Sequence, residues 1–246
     1  MRNLKVGIAY NGTAYHGWQR QDNGITVQQV IEESMSRILG QEVTVHGCSR
    51  TDAGVHAKEF YFSASVESGI PCGGFIKAMN GLLPDDIAVL SCEDVPDDFH
   101  ARFSANGKEY LYLVNNSEKK DVFRKSMVLT YPLHLDEKLL DRAAKLFIGE
   151  HDFGAFCKAE AKEHLKSTVR TVYDFRVIRN GDDVMFYVSG NGFLHNMVRI
   201  MVGTLIYINE GKRTESDITA AIKTGNRELA GKTVPPCGLY LNKVIY

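Results

Sequence analysis

Two rhythms of hydrophobic and polar residues run along this chain, one near two residues and one near 3.6, and each change of rhythm marks an element. Residues 4–11 are apolar on both faces and predict a buried strand. A polar and aromatic loop follows, Gly12-Thr13-Ala14-Tyr15-His16-Gly17-Trp18-Gln19-Arg20, with the only tryptophan. Thr26 and Gln29 form a capping-box pattern for a helix that runs to Leu39 and stops at Gly40. Val27, Val30, Ile31, Ser34, Met35 and Ile38 make its inner stripe. Strands are predicted over 42–46 and 59–66, the second with Phe60, Phe62 and Ala64 on one face. A short helix over 74–83 ends before Pro84, and a strand covers 87–94. This β-α-β-β-α-β order is a split βαβ unit with an antiparallel sheet backed by two helices.

The pattern breaks near Phe99-His100-Ala101-Arg102-Phe103-Ser104 and then resumes. A strand over 108–115 precedes a polar connection over 116–125 and an amphipathic helix over 136–148, stopped by Gly149. Strands over 168–179 and 184–189 form a hairpin through Asn180-Gly181-Asp182-Asp183. Residues 195–209 read as a helix apolar nearly all round, hence buried, followed by a helix over 215–223 and a strand over 238–246. The second half thus repeats the element order of the first. The expected fold is α+β, two similar halves over 1–104 and 105–246, with mainly antiparallel sheets backed by helices. A ligand would lie in the cleft between them.

Composition narrows the partners. The 246 residues are 44% hydrophobic and 24% charged, with a formal net charge of -1. The chain is no polycation, so a nucleic-acid site would need local segregation of its 29 Lys and Arg. Five scattered cysteines without CxxC spacing argue against a disulfide framework and for reduced, cytoplasmic thiols. The beginning of the chain enters a strand pattern with no signal-type apolar core, and the longest apolar run, 200–208, is too short to cross a bilayer.

Candidate chemistry concentrates between the strands over 42–46 and 59–66. There Ser49, Arg50, Thr51, Asp52 and His56 crowd one connection framed by Gly47 and Gly54. Asp52 with Arg50 beside it reads as a reactive carboxylate kept ionised by a guanidinium. It reads equally as a turn-closing Asp. A metal set from His46, Cys48, Asp52 and His56 lacks a partner pair elsewhere. A triad from Ser49, Asp52 and His56 lacks a nucleophile elbow. Tyr110 on its strand is either a platform for a nucleobase or an ordinary sheet aromatic. Arg199 stands among apolar residues and should meet a carboxylate or a phosphate, while His195 and Asn196 would cap its helix. Lys158, Lys162, Lys166 and Arg170, spaced by four, would share one helical face and track phosphates, although Glu160 and Glu163 interrupt them. Lys119, Lys120, Arg124 and Lys125 add a second basic segment.

These blocks combine into a resemblance. Ser49-Arg50-Thr51-Asp52-Ala53-Gly54-Val55-His56-Ala57 resembles the signature of the tRNA pseudouridine synthase A family. So do Tyr10-Asn11-Gly12-Thr13 with Gly17-Trp18-Gln19, Lys108-Glu109-Tyr110, Phe193-Leu194-His195-Asn196-Met197-Val198-Arg199 and Pro235-Pro236-Cys237-Gly238-Leu239-Tyr240-Leu241. They follow the family's order from residue 10 to 241, with Val234 where the family usually has Ala. The resemblance implies the pseudouridine synthase fold and isomerisation of uridine to pseudouridine at positions 38, 39 and 40 of the tRNA anticodon stem-loop. It implies a homodimer with one tRNA contacting both subunits, and neither a cofactor nor a metal. Asp52 carries over as the catalytic aspartate, Tyr110 as the tyrosine against the target base, and Arg50 and Arg199 as active-site cations. Chemically, Arg199 would hold Asp52 ionised and help anchor phosphate. His56 then takes a supporting role.

Overall fold

The computed structural model describes residues 1–162 and 165–246. The chain forms two compact units, Met1–Asn106 with Tyr240–Tyr246, and Gly107–Leu239.

The first unit begins with β1 (Arg2–Tyr10), α1 (Val27–Leu39), β2 (His46–Gly47) and β3 (His56–Val66). It continues with α2 (Cys72–Leu82) and β4 (Ile87–Val95). Antiparallel pairing puts β1 between β4 and β3, and β2 adds two residues on β3. Leu4 faces Ala64, Val6 faces Phe62 and Ile8 faces Phe60 across the β1–β3 ladder. All six are buried. Each large side chain so buried contributes roughly 1.5–3 kcal/mol relative to exposure. Helix α1 starts at Thr26, whose hydroxyl accepts from Gln29 N, and ends at Gly40 in the left-handed region (φ 67°). The Gln29 side chain donates to Glu33 instead of reaching back, so the box closes on one side only. Of the expected stripe, Val27, Ile31, Ser34 and Met35 are buried.

The strand expected over 42–46 shrinks to β2 for a definable reason. Val45 N donates to the Glu32 carboxylate (3.2 Å), and Glu32, buried on α1, also accepts from Gln28 and Arg20. A side chain on the helix takes the backbone donor that a ladder would need.

The second unit comprises β5 (Gly107–Asn115), β6 (Leu129–Thr130), α3 (Glu137–Ala144), β7 (Gly149–Asp152) and α4 (Ala159–Lys162). The hairpin β8 (Val169–Asn180) and β9 (Asp183–Gly190) follows, then α5 (Met197–Asn209) and α6 (Glu215–Thr224). The last strand, β10 (Leu239–Ile245), pairs in parallel with β3 of the first unit's sheet through Tyr240↔His56 and Leu241↔Ala57. In the second unit the antiparallel order is β5-β9-β8-β7, with β6 parallel on β5. Val184, Phe186 and Val188 alternate inward along β9, opposite Val114, Tyr112 and Tyr110. Gly181 (φ 59°) provides the left-handed residue of the two-residue hairpin turn.

The helix expected over 136–148 is shorter. Asp136 caps it by accepting from Lys138 N and Leu139 N, and after Ala144 the chain tightens into a 3-10 turn over Lys145–Phe147. The residues after Gly149 then pair as β7, an element the sequence pattern did not predict. The basic face drawn through Lys158, Lys162, Lys166 and Arg170 crosses residues 163 and 164, so Glu163 lies outside the described residues. In the described part, α4 spans Ala159–Lys162, and Arg170 stands in β8, donating to Val169 O and Ser167 O. A common helical face including Arg170 is therefore corrected. No helix among the described residues is long and apolar enough to cross a membrane.

Candidate active site

The connection carrying Asp52 is clamped by the segment that follows β1. Trp18 N donates to Thr51 O (3.1 Å), and Gly54 N donates to Tyr15 O (3.3 Å). Within the loop, Val55 N donates to Asp52 O (3.1 Å). The Thr51 hydroxyl bonds the Tyr10 hydroxyl at 2.8 Å in a buried setting. Two glycines permit this approach. A Cβ on Gly12 would overlap the Val55 carbonyl, and one on Gly17 (φ +87°) would stand 2.5 Å from Thr51 O. Trp18 is itself buried, with its ring 4.1 Å from that of Phe60. The outcome is a pinned backbone at Thr51 and Val55, with Asp52 half-buried between them and Arg50 exposed.

Asn11 N donates to Asp86 O, and Tyr15 donates its hydroxyl to the Asp86 carboxylate at 2.5 Å. Burial, with Asp86 adding to it, pushes the Tyr15 hydroxyl well above the usual tyrosine range. Tyr15 is thus a structural donor that ties the clamp to the start of β4.

His56 is buried at the start of β3. Its Nδ1 accepts from Gly12 N (3.1 Å), and its ring stacks on Tyr240 at 4.7 Å. With Nδ1 spent on Gly12 N, only Nε2 remains, and one nitrogen cannot serve both a carboxylate and a serine as a triad histidine must. The histidine fixes the loop's far end. Cys48 is buried and engaged by the Tyr61 amide, while His46 stacks on His100 (5.1 Å). No group of three or more His, Cys, Asp or Glu suited to a metal ion occurs among the described residues.

The other two predicted site residues lie in the second unit. Tyr110 is buried in β5, with Phe193 edge-on against its ring (5.3 Å, 83°). Its neighbour on the same face, Tyr112, donates to Pro235 O (2.8 Å). Burial raises the Tyr112 hydroxyl far above its ordinary range. Arg199, half-buried on α5, donates Nε to Val234 O (2.8 Å) and Nη1 to Asn196 Oδ1 (2.8 Å). The Val234 carbonyl is held there because the strap before it lies against the helix. Gly231 N donates to Thr204 Oγ1, and a Cβ on Gly203 would overlap Lys232 O.

Asn196 corrects an expectation. It occupies the N-cap position in the left-handed region (φ 64°, ψ 3°), and its side chain makes no capping bond. It is spent on Arg199 instead. Phe193, Asn196 and the Gly17–Trp18 clamp are thus positioning features whose roles spacing alone did not reveal. Their signals were indirect, in a tryptophan directly after a glycine and an Asn three residues before a helical Arg.

Known proteins resemble this chain over its whole length. The family model described as tRNA pseudouridine synthase matches residues 7–104 and 143–246. The chain belongs to this family. It is 45% identical over 247 residues to tRNA pseudouridine synthase A of Ruminiclostridium cellulolyticum, covering 100% of each chain. It is 42% identical over 246 residues to tRNA pseudouridine synthase A 2 of Clostridium perfringens, again covering 100% of both. To the tRNA pseudouridine synthase A of Acetivibrio thermocellus it is 43% identical, with the same full coverage. As a member of the family it is an isomerase that converts uridine to pseudouridine in tRNA.

Proposed function

We propose that this synthase modifies uridines 38, 39 and 40 of the tRNA anticodon stem-loop, with Asp52 as the catalytic carboxylate. The observation that carries the reading is the mounting of Asp52. It is half-buried, on a loop whose backbone is held on both sides by Trp18, Tyr15 and Gly12. A turn-closing Asp would not require so many outside restraints, whereas a reacting group held to within a fraction of an ångström does.

The chemistry suits a single carboxylate. The N1–C1′ bond breaks, the uracil rotates, and C5 joins C1′. The proton on C5 leaves and N1 gains one, so the product is an isomer. Asp52 acts at ribose C1′, at uracil C6, or on the C2′ proton after cleavage. The target base must leave its stack first, and Tyr110 offers an aromatic surface for it. Arg50 is exposed and carries no hydrogen bond or ion pair among the described residues, which suits a cation that fills or steadies the place of the flipped nucleotide. Arg199 anchors phosphate. The enzyme acts in the cytoplasm, as a homodimer in which one tRNA contacts both subunits.

The test is product mapping. Transcripts of one tRNA with uridine at 38, 39 or 40 alone are treated with the enzyme, and pseudouridine is located by carbodiimide adducts that stop reverse transcription. Modification at each of the three positions and at no other uridine is expected. Modification outside the anticodon stem-loop would overturn the assignment.

A further inference from the structure

The five cysteines are reduced, but two of them are not isolated. Cys72, the first residue of α2, and Cys92, on β4, place their sulfurs 3.1 Å apart, with Cys92 Sγ donating to Cys72 Sγ. Arg2 reaches across from β1, donating Nη2 to Cys72 Sγ (3.4 Å) and pairing bidentately with Asp94 (2.6 and 2.8 Å). Its Nη1 donates to Ile70 O (2.7 Å), just before the helix. A cation is therefore fixed beside one of two touching thiols, and both cysteines are half-buried, within reach of a small solute. Burial pushes the Cys92 thiol up, with Cys72 adding to the shift.

We propose that Cys72 and Cys92 are a reversible thiol–disulfide pair, oxidised by low-molecular-weight disulfides of the glutathione type. A disulfide needs its sulfurs about 2.05 Å apart, so closure asks for roughly an ångström of side-chain movement. Cys72 Sγ lies against both Arg2 and the Asp94 carboxylate that Arg2 pairs with (3.9 Å), while burial keeps Cys92 protonated, so Cys72 is the attacking sulfur and Cys92 the resolving one. The Cys72 thiolate attacks one sulfur of RSSR, forming a mixed disulfide with Cys72 and releasing RS⁻. Cys92, after giving its proton to solvent, attacks Cys72 Sγ and expels the second RS⁻. Two thiols and one RSSR become one protein disulfide and two RSH, and excess dithiol reverses the exchange. The link staples the start of α2 to β4, in the unit that carries Asp52. It is independent of the role assigned to Asp52.

The full-length protein is incubated with oxidised glutathione, quenched with acid, and analysed by intact mass and peptide mapping. The wild type should lose two hydrogens through a Cys72–Cys92 link and carry no glutathione. C92S should instead retain one glutathione on Cys72, because the resolving thiol is gone. C72S should react at least 10-fold more slowly at Cys92 than the wild type reacts at Cys72. A wild-type protein that keeps both thiols free, or that holds a stable glutathione adduct like that of C92S, would overturn the proposal. Thermal unfolding of both serine variants, compared with the wild type under reducing conditions, separates an exchange defect from a folding defect.

Discussion

Gly17→Ala strikes the clamp on Asp52 directly. The position has φ +87°, where an L-residue is strained by roughly 1–2 kcal/mol. The new Cβ would stand 2.5 Å from Thr51 O and 3.2 Å from the Asp52 carbonyl carbon, both backbone atoms that no rotamer change can move. Relieving such an overlap costs a further ~1–3 kcal/mol. If the fold absorbs the whole strain, the melting temperature falls by about 4–20 °C for a chain of this size. If the loop moves instead, a shift of about an ångström at Asp52 lowers turnover roughly 100-fold. Gly40→Ala is the matched control. Gly40 also has a positive φ (67°), but nothing lies within 4 Å of its added Cβ. It should lose only the φ strain of roughly 1–2 kcal/mol, or some 2–8 °C, with unchanged turnover. Thermal unfolding and tritium release from tRNA labelled at uridine C5 measure both variants. A Gly17→Ala enzyme indistinguishable from Gly40→Ala in stability and rate would refute the clamp.

Two further outcomes follow from named contacts. Arg199→Lys removes the planar fork that reaches Val234 O and Asn196 Oδ1 together. A charged hydrogen bond is worth about 1.5–3 kcal/mol, so kcat/KM for tritium release should fall roughly 10–100-fold while the variant stays folded; an unchanged kcat/KM would count against Arg199. His100 titrates below its ordinary 6.5, chiefly because burial disfavours its charged form and secondly because it faces His46. Between the folded and unfolded values the unfolded chain binds more protons, so this histidine's contribution is lost as pH falls through 6.5. His100→Gln should flatten the decline in melting temperature from pH 7 to pH 5, and a variant with the same slope as the wild type would contradict the assignment.

Much of the fold was legible because local chemistry and tertiary packing agree. Thr26 and Gly40 bound α1, Gly181 turns the hairpin, and the alternation of Phe60, Phe62 and Ala64 meets Ile8, Val6 and Leu4 across the ladder. Where the reading failed, a distant group had taken over a local one. Glu32 captured Val45 N and cut the strand before the loop to two residues. Asn196, well spelled as a cap, turned left-handed and gave its oxygen to Arg199. The family was legible from the motif blocks, and the candidate site only as a set of residue types. Its support was not. That Gly12 N meets His56, or that Gly17 must lack a side chain beside Thr51, depends on the approach of two segments more than thirty residues apart in sequence.

Asp52 is the proposed carrier of the isomerisation. Tritium release from C5-labelled tRNA by Asp52→Asn, compared with the wild type at equal tRNA binding and equal melting temperature, tests it most directly. No release above background is expected from the variant. Release at the wild-type rate would contradict it.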